Sequence, residues 1–312
     1  MVTRLKFVTI RLGFQIPNFS YGTGVEQLFP TVIAQAREAE SAGFDAVFVM
    51  DHFYQLPMLG SPDQPMLEAY TTLGALATAT ERVQLGALVT GNTYRNPTLL
   101  AKVVTTLDVI SAGRAILSAG TGWFELEHNQ LGFEFATFTE RFKKLEEALQ
   151  ILEPMIKGER STFSGEYYTT DSAFANPRYR DRIPLLIGGS GEKKTFSLAA
   201  RYADHLNIIA GFDELPGKLD ALAKRCDEAG RDRSTLETSV LLTVMIDDNA
   251  KPDQVPAEMR GRMVVGSAEQ VAEQIKTHVI DVGIDGVIIN MPLYTPGVVT
   301  TVAEALTPVV KP

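Results

Sequence analysis

The chain has 312 residues and a formal net charge of -9, and that acidic balance, with no basic stripe interleaved by aromatics, argues against a nucleic-acid partner. Its length exceeds the ~250 residues of an average (β/α)8 barrel by what one insertion can absorb, and no Ser/Gly/Pro-rich linker divides it, so a single domain over residues 1–312 is expected. A lone cysteine, Cys226, excludes an intrachain disulfide, no apolar run reaches the ~18 residues that span a membrane, and Arg11 interrupts the stretch where a cleavable leader would lie, so a cytoplasmic protein is expected.

Short Val- and Ile-rich runs alternate with amphipathic stretches eight times, the pattern of a (β/α)8 barrel. The first strand reads Lys6–Ile16 and stops at Pro17; a helix over Val25–Ala42 ends at Gly43. Strand two is Asp45–Asp51, apolar nearly throughout, as suits a strand covered on both faces. A helix near Glu68–Thr80 leads to strand three, Val83–Gly91, and Pro97 opens the next helix at a position that suits proline. Strand four is Arg114–Gly122.

There the period breaks. Trp123–Phe138 reads as an irregular aromatic loop, Glu140–Lys157 as a charged helix, and Thr162–Thr170 as a hairpin turning at Ser164-Gly165, so residues 123–182 form the expected insertion. Strand five is Pro184–Gly189, with a helix from Lys193. Strand six is His205–Gly211, followed by a helix near Leu215–Ala229. Strand seven is Leu236–Ile246; after an acidic loop, Ser267 caps a further helix. Strand eight is Asp285–Met291, and Pro296–Val310 is the last helix.

Polar and glycine residues gather where the strands end, which is where barrel chemistry sits. Gly188-Gly189-Ser190-Gly191 joins strand five to a helix. Several N–H groups there can approach an anion, and the helix dipole favours negative charge; a tight turn needing positive φ is the other reading. Asp51 and His52 stand at the tip of strand two. Adjacent strand residues point oppositely and make a poor metal chelate, but past the strand end both reach the barrel mouth, where a histidine can donate or shuttle a proton. Leu88-Val89-Thr90-Gly91-Asn92 ends strand three with small and polar groups that admit a flat ligand, or simply turn the chain. Gly120-Thr121-Gly122-Trp123 ends strand four, where Trp123 either stacks on a ring or anchors the insertion. Glu125, Glu127 and His128 follow, and one carboxylate there could act as acid or base.

Other chemistries lack their patterns: no GxxxxGK[ST], no GxGxxG after strand one, no HExxH, no HxH at a strand tip and no GxSxG. Cys226, His205 and His278 read as structural residues.

Six stretches in order resemble the bacterial luciferase-like flavin oxidoreductase family: AGFDAVFVMDHF (Ala42–Phe53), ERVQLGALVTGNTYRNP (Glu81–Pro97), GRAILSAGTGWFELEHNQLGFEF (Gly113–Phe135), ERFKKLEEALQIL (Glu140–Leu152), IPLLIGGSGEKKTFSLAARYAD (Ile183–Asp204) and VGSAEQVAEQI (Val265–Ile275). The resemblance implies a TIM barrel with a flavin-type ring in its mouth. The ring would lie on strand three over a non-prolyl cis peptide at about Leu88–Val89. Asp51 and His52 would face its polar edge or reactive centre, Thr90 and Asn92 would bind it, Gly122 would pass close, and Gly189, Ser190 and Gly191 would hold the phosphate. The DHF triplet with GTGWFELEH is similar to the branch that uses the deazaflavin coenzyme F420 as a hydride carrier, the alternative being FMN with oxygen in a monooxygenase, or a coenzyme-binding barrel without catalysis. The resemblance thus implies an F420-dependent oxidoreductase of a small organic substrate, a homodimer, with His52 and then Glu125 as candidates for proton handling. One departure stands out: the family's sugar-phosphate dehydrogenase is similar in having an acidic residue right after GTG, where this chain has Trp123, which argues against glucose 6-phosphate.

Overall fold

The computed structural model describes residues 9–250, 255 and 259–311; the start of the first predicted strand and most of the acidic loop after strand seven lie outside them. Eight parallel strands close into a barrel: β1 (Leu12–Ile16), β2 (Ala46–Val49), β3 (Gln84–Ala87), β4 (Leu117–Ala119), β7 (Leu185–Gly188), β8 (His205–Ile208), β9 (Glu237–Ile246) and β11 (Gly286–Asn290). The order β3-β2-β1-β11-β9-β8-β7-β4 is completed by bridges Leu85–Ala115 and Gly91–Gly120. The predicted (β/α)8 TIM barrel is therefore the observed fold, and each strand falls inside its predicted run. A short strand, β10 (Met263–Gly266), extends the sheet beside the end of β9.

Alternation along the strands sorts side chains between two layers. Leu12, Phe14, Val47, Val49, Leu85, Leu117, Leu206 and Ile289 face the surrounding helices in the main core. Ile10, Ala46, Phe48, Ile116, Leu186 and Ile288 fill the barrel's interior, with Leu88, Val89 and Leu241 packed above them. Each deeply buried aliphatic contributes about 1.5–3 kcal/mol by leaving water, which is why strands clad on both sides read as unbroken apolar runs.

The helices begin and end at recognisable caps. Helix α1 (Val25–Ser41) is followed by Gly43 at φ 89°, a conformation open to glycine. The Glu68 carboxylate accepts the Thr71 amide at the start of α2 (Ala69–Ala79), and Pro97 is the first residue of α3 (Pro97–Ile110) behind the Asn96 cap. Ser267 and Gln270 form a capping box on α8 (Ala268–Ile275). Helices α6 (Thr195–Tyr202), α7 (Leu215–Glu228) and α9 (Val298–Val310) complete the outer ring. Among the described residues no helix is long and apolar enough to cross a membrane.

The segment after β4 departs from its sequence reading in two ways. The predicted irregular loop contains a helix, α4 (Glu125–Leu131), which ends at Gly132 with φ 76°. The hairpin's strands are β5 (Ser161–Ser164) and β6 (Thr169–Ala173), so the turn spans 165–168 rather than two residues. The Glu147 carboxylate explains the longer loop: it accepts the amides of Glu166, Tyr167 and Tyr168 at 2.7–3.0 Å. Glu147 lies on α5 (Phe138–Ile156), which packs on α3 and α6 as the barrel's own fourth helix, so the extra chain falls into two pieces around it.

Candidate active site

A cavity of about 210 Å³ opens at the carboxyl ends of the strands. Its floor is backbone-rich. The Leu88–Val89 peptide is cis, and the Val89 side chain lies against Gly120 and Gly188: a Cβ on either glycine would stand 2.7 Å from a Val89 methyl. Glycine is required at those two positions because Val89 occupies the space a side chain would take. From below, Gln15 donates Nε2 to the Leu88 carbonyl at 3.3 Å; its Oε1 accepts from Asn290, which in turn accepts from Thr243. Thr90 is fully buried and is held by the Tyr70 hydroxyl at 2.6 Å and by Ser118. Such a floor leaves room above for a flat ligand.

One wall is built around Glu127. Helix α4 lies back over the loop after β2, and its period places Phe124, Glu127 and His128 on the inward face, all buried. The Glu127 carboxylate then receives four donors: Nδ1 of His52 at 2.9 Å, the Tyr94 hydroxyl at 2.6 Å, and the amides of Phe53 and Tyr54 at 2.5 and 2.8 Å. Burial by itself would raise the Glu127 pKa, but the bonds from His52, Tyr94 and the Tyr54 amide outweigh it and hold the carboxyl below its ordinary range. Burial and the bond to Glu127 push the Tyr94 phenol far up, so it stays a donor. With Nδ1–H engaged by a carboxylate, Nε2 is the His52 nitrogen left for chemistry. Trp123 and Phe124 present ring contacts to His52 at centroid distances of 5.7 and 5.8 Å.

Asp51 is buried beside this wall and accepts from the Gly91 amide at 2.9 Å and from Arg95 at 2.7 Å; Arg95 also grips Glu68. Burial raises the Asp51 pKa against the pull of Arg95. The rim opposite is the glycine turn after β7, where Gly189 has φ 143° and donates its amide to the Asn207 carbonyl at 3.0 Å.

Of the residues picked out from sequence, Asp51, His52, Leu88, Val89, Thr90, Gly122 and Gly189 line this one cavity. Ser190 and Gly191 sit exposed on the turn just outside it, next to the start of α6. Asn92 is buried but turned to the Tyr168 hydroxyl, 3.4 Å away on the hairpin. Glu125 is exposed at the beginning of α4 and absent from the lining; two residues along a helix is roughly a half turn, so when Glu127 faces inward Glu125 faces water. Sequence alone does not join Glu127, Tyr94 and Arg95 as a set, although the Phe124, Glu127, His128 spacing is a helical signal that marks the inward carboxylate. Trp123 is 52% exposed at the mouth, over His52 rather than in the core. Cys226 is buried, and burial raises its thiol pKa. Among the described residues no group of three or more His, Cys, Asp or Glu is placed to hold a metal ion.

Comparison with known proteins places this geometry in context. Residues 10–252 match the family described as luciferase-like monooxygenase. An F420-dependent glucose-6-phosphate dehydrogenase of Microbacterium testaceum is 35% identical over 270 residues, 84% of this chain and 76% of that protein. One from Nakamurella multipartita is 36% identical over 241 residues, 74% of this chain and 68% of that protein. An F420-dependent secondary alcohol dehydrogenase, solved in complex with an F420-acetone adduct, shares the fold with a TM-score of 0.83 at 22% identity, covering 98% of this chain and 100% of that one.

Proposed function

Because the chain belongs to the luciferase-like monooxygenase family, we infer that it is an F420-dependent oxidoreductase that passes hydride between the deazaflavin coenzyme and a small organic substrate. One observation carries the reading: a flat floor, a histidine fixed through Nδ1 and a glycine rim meet in a single cavity. The residues present fit such a coenzyme, since the Val89 seat between Gly120 and Gly188 leaves the floor bare and the Gly189–Gly191 turn opens beside a helix start. Bound there, the deazaflavin supplies a carbon that takes up or releases hydride and reacts poorly with oxygen.

The chain's own residues do the rest. Leu88, Val89, Thr90 and Gly122 would seat the ring, Asp51 would meet its polar edge, and Gly189, Ser190 and Gly191 would hold the phosphate. Asn92 acts at one remove by tying the hairpin to the end of β3. His52 Nε2 takes the proton from a substrate hydroxyl, or returns it to a carbonyl oxygen in reverse. Glu127 is a positioning residue that fixes the tautomer and ring plane of His52, and Glu125, exposed on α4, takes no part in proton handling. Trp123 and Phe124 limit water around that nitrogen.

The lining by Trp123, Ile209 and Leu241 suits a neutral, largely apolar alcohol or carbonyl compound. Glucose 6-phosphate is the second reading, favoured by the names of the two relatives. The protein is further read as cytoplasmic and homodimeric, and light scattering checks the second point.

Fluorescence titration with F420 and with FMN tests the cofactor, and F420 reduction by a panel of secondary alcohols and by glucose 6-phosphate tests the chemistry. Binding of F420 with turnover of an apolar alcohol is expected. FMN binding without an F420 response would overturn the reading, and F420 binding without turnover of any substrate would leave only a coenzyme carrier.

A further inference from the structure

Besides the Gln15–Asn290–Thr243 set beneath the floor, the barrel interior below the cavity holds a second polar column. Asn207, on β8, lines the cavity at 1% exposure and donates Nδ2 to the Ser239 hydroxyl at 2.9 Å. Ser239 Oγ lies 2.7 Å from His205 Nε2. His205, also 1% exposed, turns Nδ1 toward Glu237 Oε2 at 3.8 Å, and neither of those two buried atoms has a direct hydrogen-bond partner. Glu237 accepts from Thr9 through its other oxygen.

One proton arrangement of this column also puts a hydrogen on His205 Nδ1, opposite the Glu237 carboxylate. Ser239 Oγ has a single hydrogen and already accepts from Asn207. Giving that hydrogen to His205 Nε2 leaves the imidazole proton on Nδ1, where the Glu237 carboxylate attracts it. With Asn207 Nδ2 donating to Ser239 in that arrangement, Oδ1 is the polar atom it offers the cavity. A buried chain of His, Ser and Asn is costly where aliphatics would pack, so its use lies in orienting the amide.

Asn207 also has a defined place along the ligand. It pairs in register with Gly188, and its carbonyl accepts the Gly189 amide, so its side chain lies just inside the turn assigned to the phosphate. The coenzyme's polyol linker is what joins the phosphate to the ring.

We propose that Asn207 is a further coenzyme-binding residue whose Oδ1 accepts a hydroxyl of that linker, and that Ser239 and His205 are positioning residues that fix its amide. This rests on the deazaflavin reading above.

Fluorescence titration tests it with two probes, F420 and its ring-and-ribityl fragment lacking the phosphate. Asn207→Leu should weaken both about 10-fold, the effect of one lost hydrogen bond. Gly189→Asp should weaken F420 and spare the fragment. Ser239→Ala should weaken both probes, Ser239→Thr should restore binding, and in the Asn207→Leu background Ser239→Ala should have no further effect, which a merely structural role would not produce. Should Asn207→Leu fail to fold, Asn207→Ala gives the same readout. Unchanged affinity for both probes in the Asn207 variant, or full additivity with Ser239→Ala, overturns the proposal while the deazaflavin reading stands. Failure of the unaltered protein to bind F420 overturns that reading and this proposal with it.

Discussion

Glu127 accepts from Nδ1 of His52 at 2.9 Å, and it does so from a helix that the chain adds after β4 and folds back over the loop after β2. The imidazole is thereby fixed by a segment remote in sequence from the histidine. The same carboxylate holds Tyr94 and two amides of the β2 loop, so its loss would loosen the wall as a unit.

Replacing Glu127 by Gln keeps the shape and removes the charge. Turnover with F420 should fall about 10-fold or more, since the amide cannot hold the His52 tautomer as a carboxylate does, and the melting temperature should drop by the equivalent of about 1–3 kcal/mol. Affinity for F420 should change far less. His52→Ala should lower turnover further, about 10²–10⁴-fold. Steady-state kinetics beside fluorescence titration separates the two effects; equal losses in affinity and turnover would make His52 only a binding residue.

The pH dependence of stability follows from the same group. The folded Glu127 carboxyl titrates below its ordinary value of 4.5, because the donors around it outweigh burial. A depressed carboxyl stabilises the fold at pH values above the unfolded pKa, and that contribution is lost as pH falls through the folded one. The difference in melting temperature between the native protein and Glu127→Gln should therefore be largest near neutrality and shrink below about pH 4.5. A difference that stays constant down to pH 3 would contradict this.

Gly120→Ala and Gly188→Ala should each displace Val89, because the new methyl would stand 2.7 Å from a Val89 methyl. Overpacking of this kind costs about 1–3 kcal/mol. Both variants should lose F420 affinity beyond what their stability explains, as read by titration well below the melting temperature.

Gly189→Asp should weaken F420 binding by crowding and repelling the phosphate. Gly189 adopts φ 143°, so any side chain there is strained, and Gly189→Ala serves as the control. The aspartate should bind more weakly than the alanine at low salt, with the gap closing as salt rises. Identical affinities would move the phosphate elsewhere.

How much of this was legible in the chain depended on whether the cause was local. The eight strands were readable because burial on both faces leaves a continuous apolar run, as in Ala46–Val49 and Gly286–Asn290. The cavity-lining groups at the ends of β2, β3, β4 and β7 were readable because the barrel brings every strand end to one face. Glu127 was not, because its role depends on where α4 packs; Glu125 and Glu127 look alike until the helix phase separates them. The 165–168 turn is not legible for a similar reason, since the carboxylate that orders it comes from Glu147 on another element. The polar column beneath Asn207 is set by registry between β8 and β9, which no single stretch displays.

The Val89 seat has an effect that reaches past this one ligand. Where a planar molecule rests on main chain and a single valine wedged between two glycines, few rotamers remain to be frozen when it arrives. Most of the ordering there is lost during folding instead of at the moment of association. Evolution of new substrate preference on such a platform would then fall to the side chains around the mouth, such as Trp123 and Ile209, which can be exchanged while the bed for the ring stays as it is.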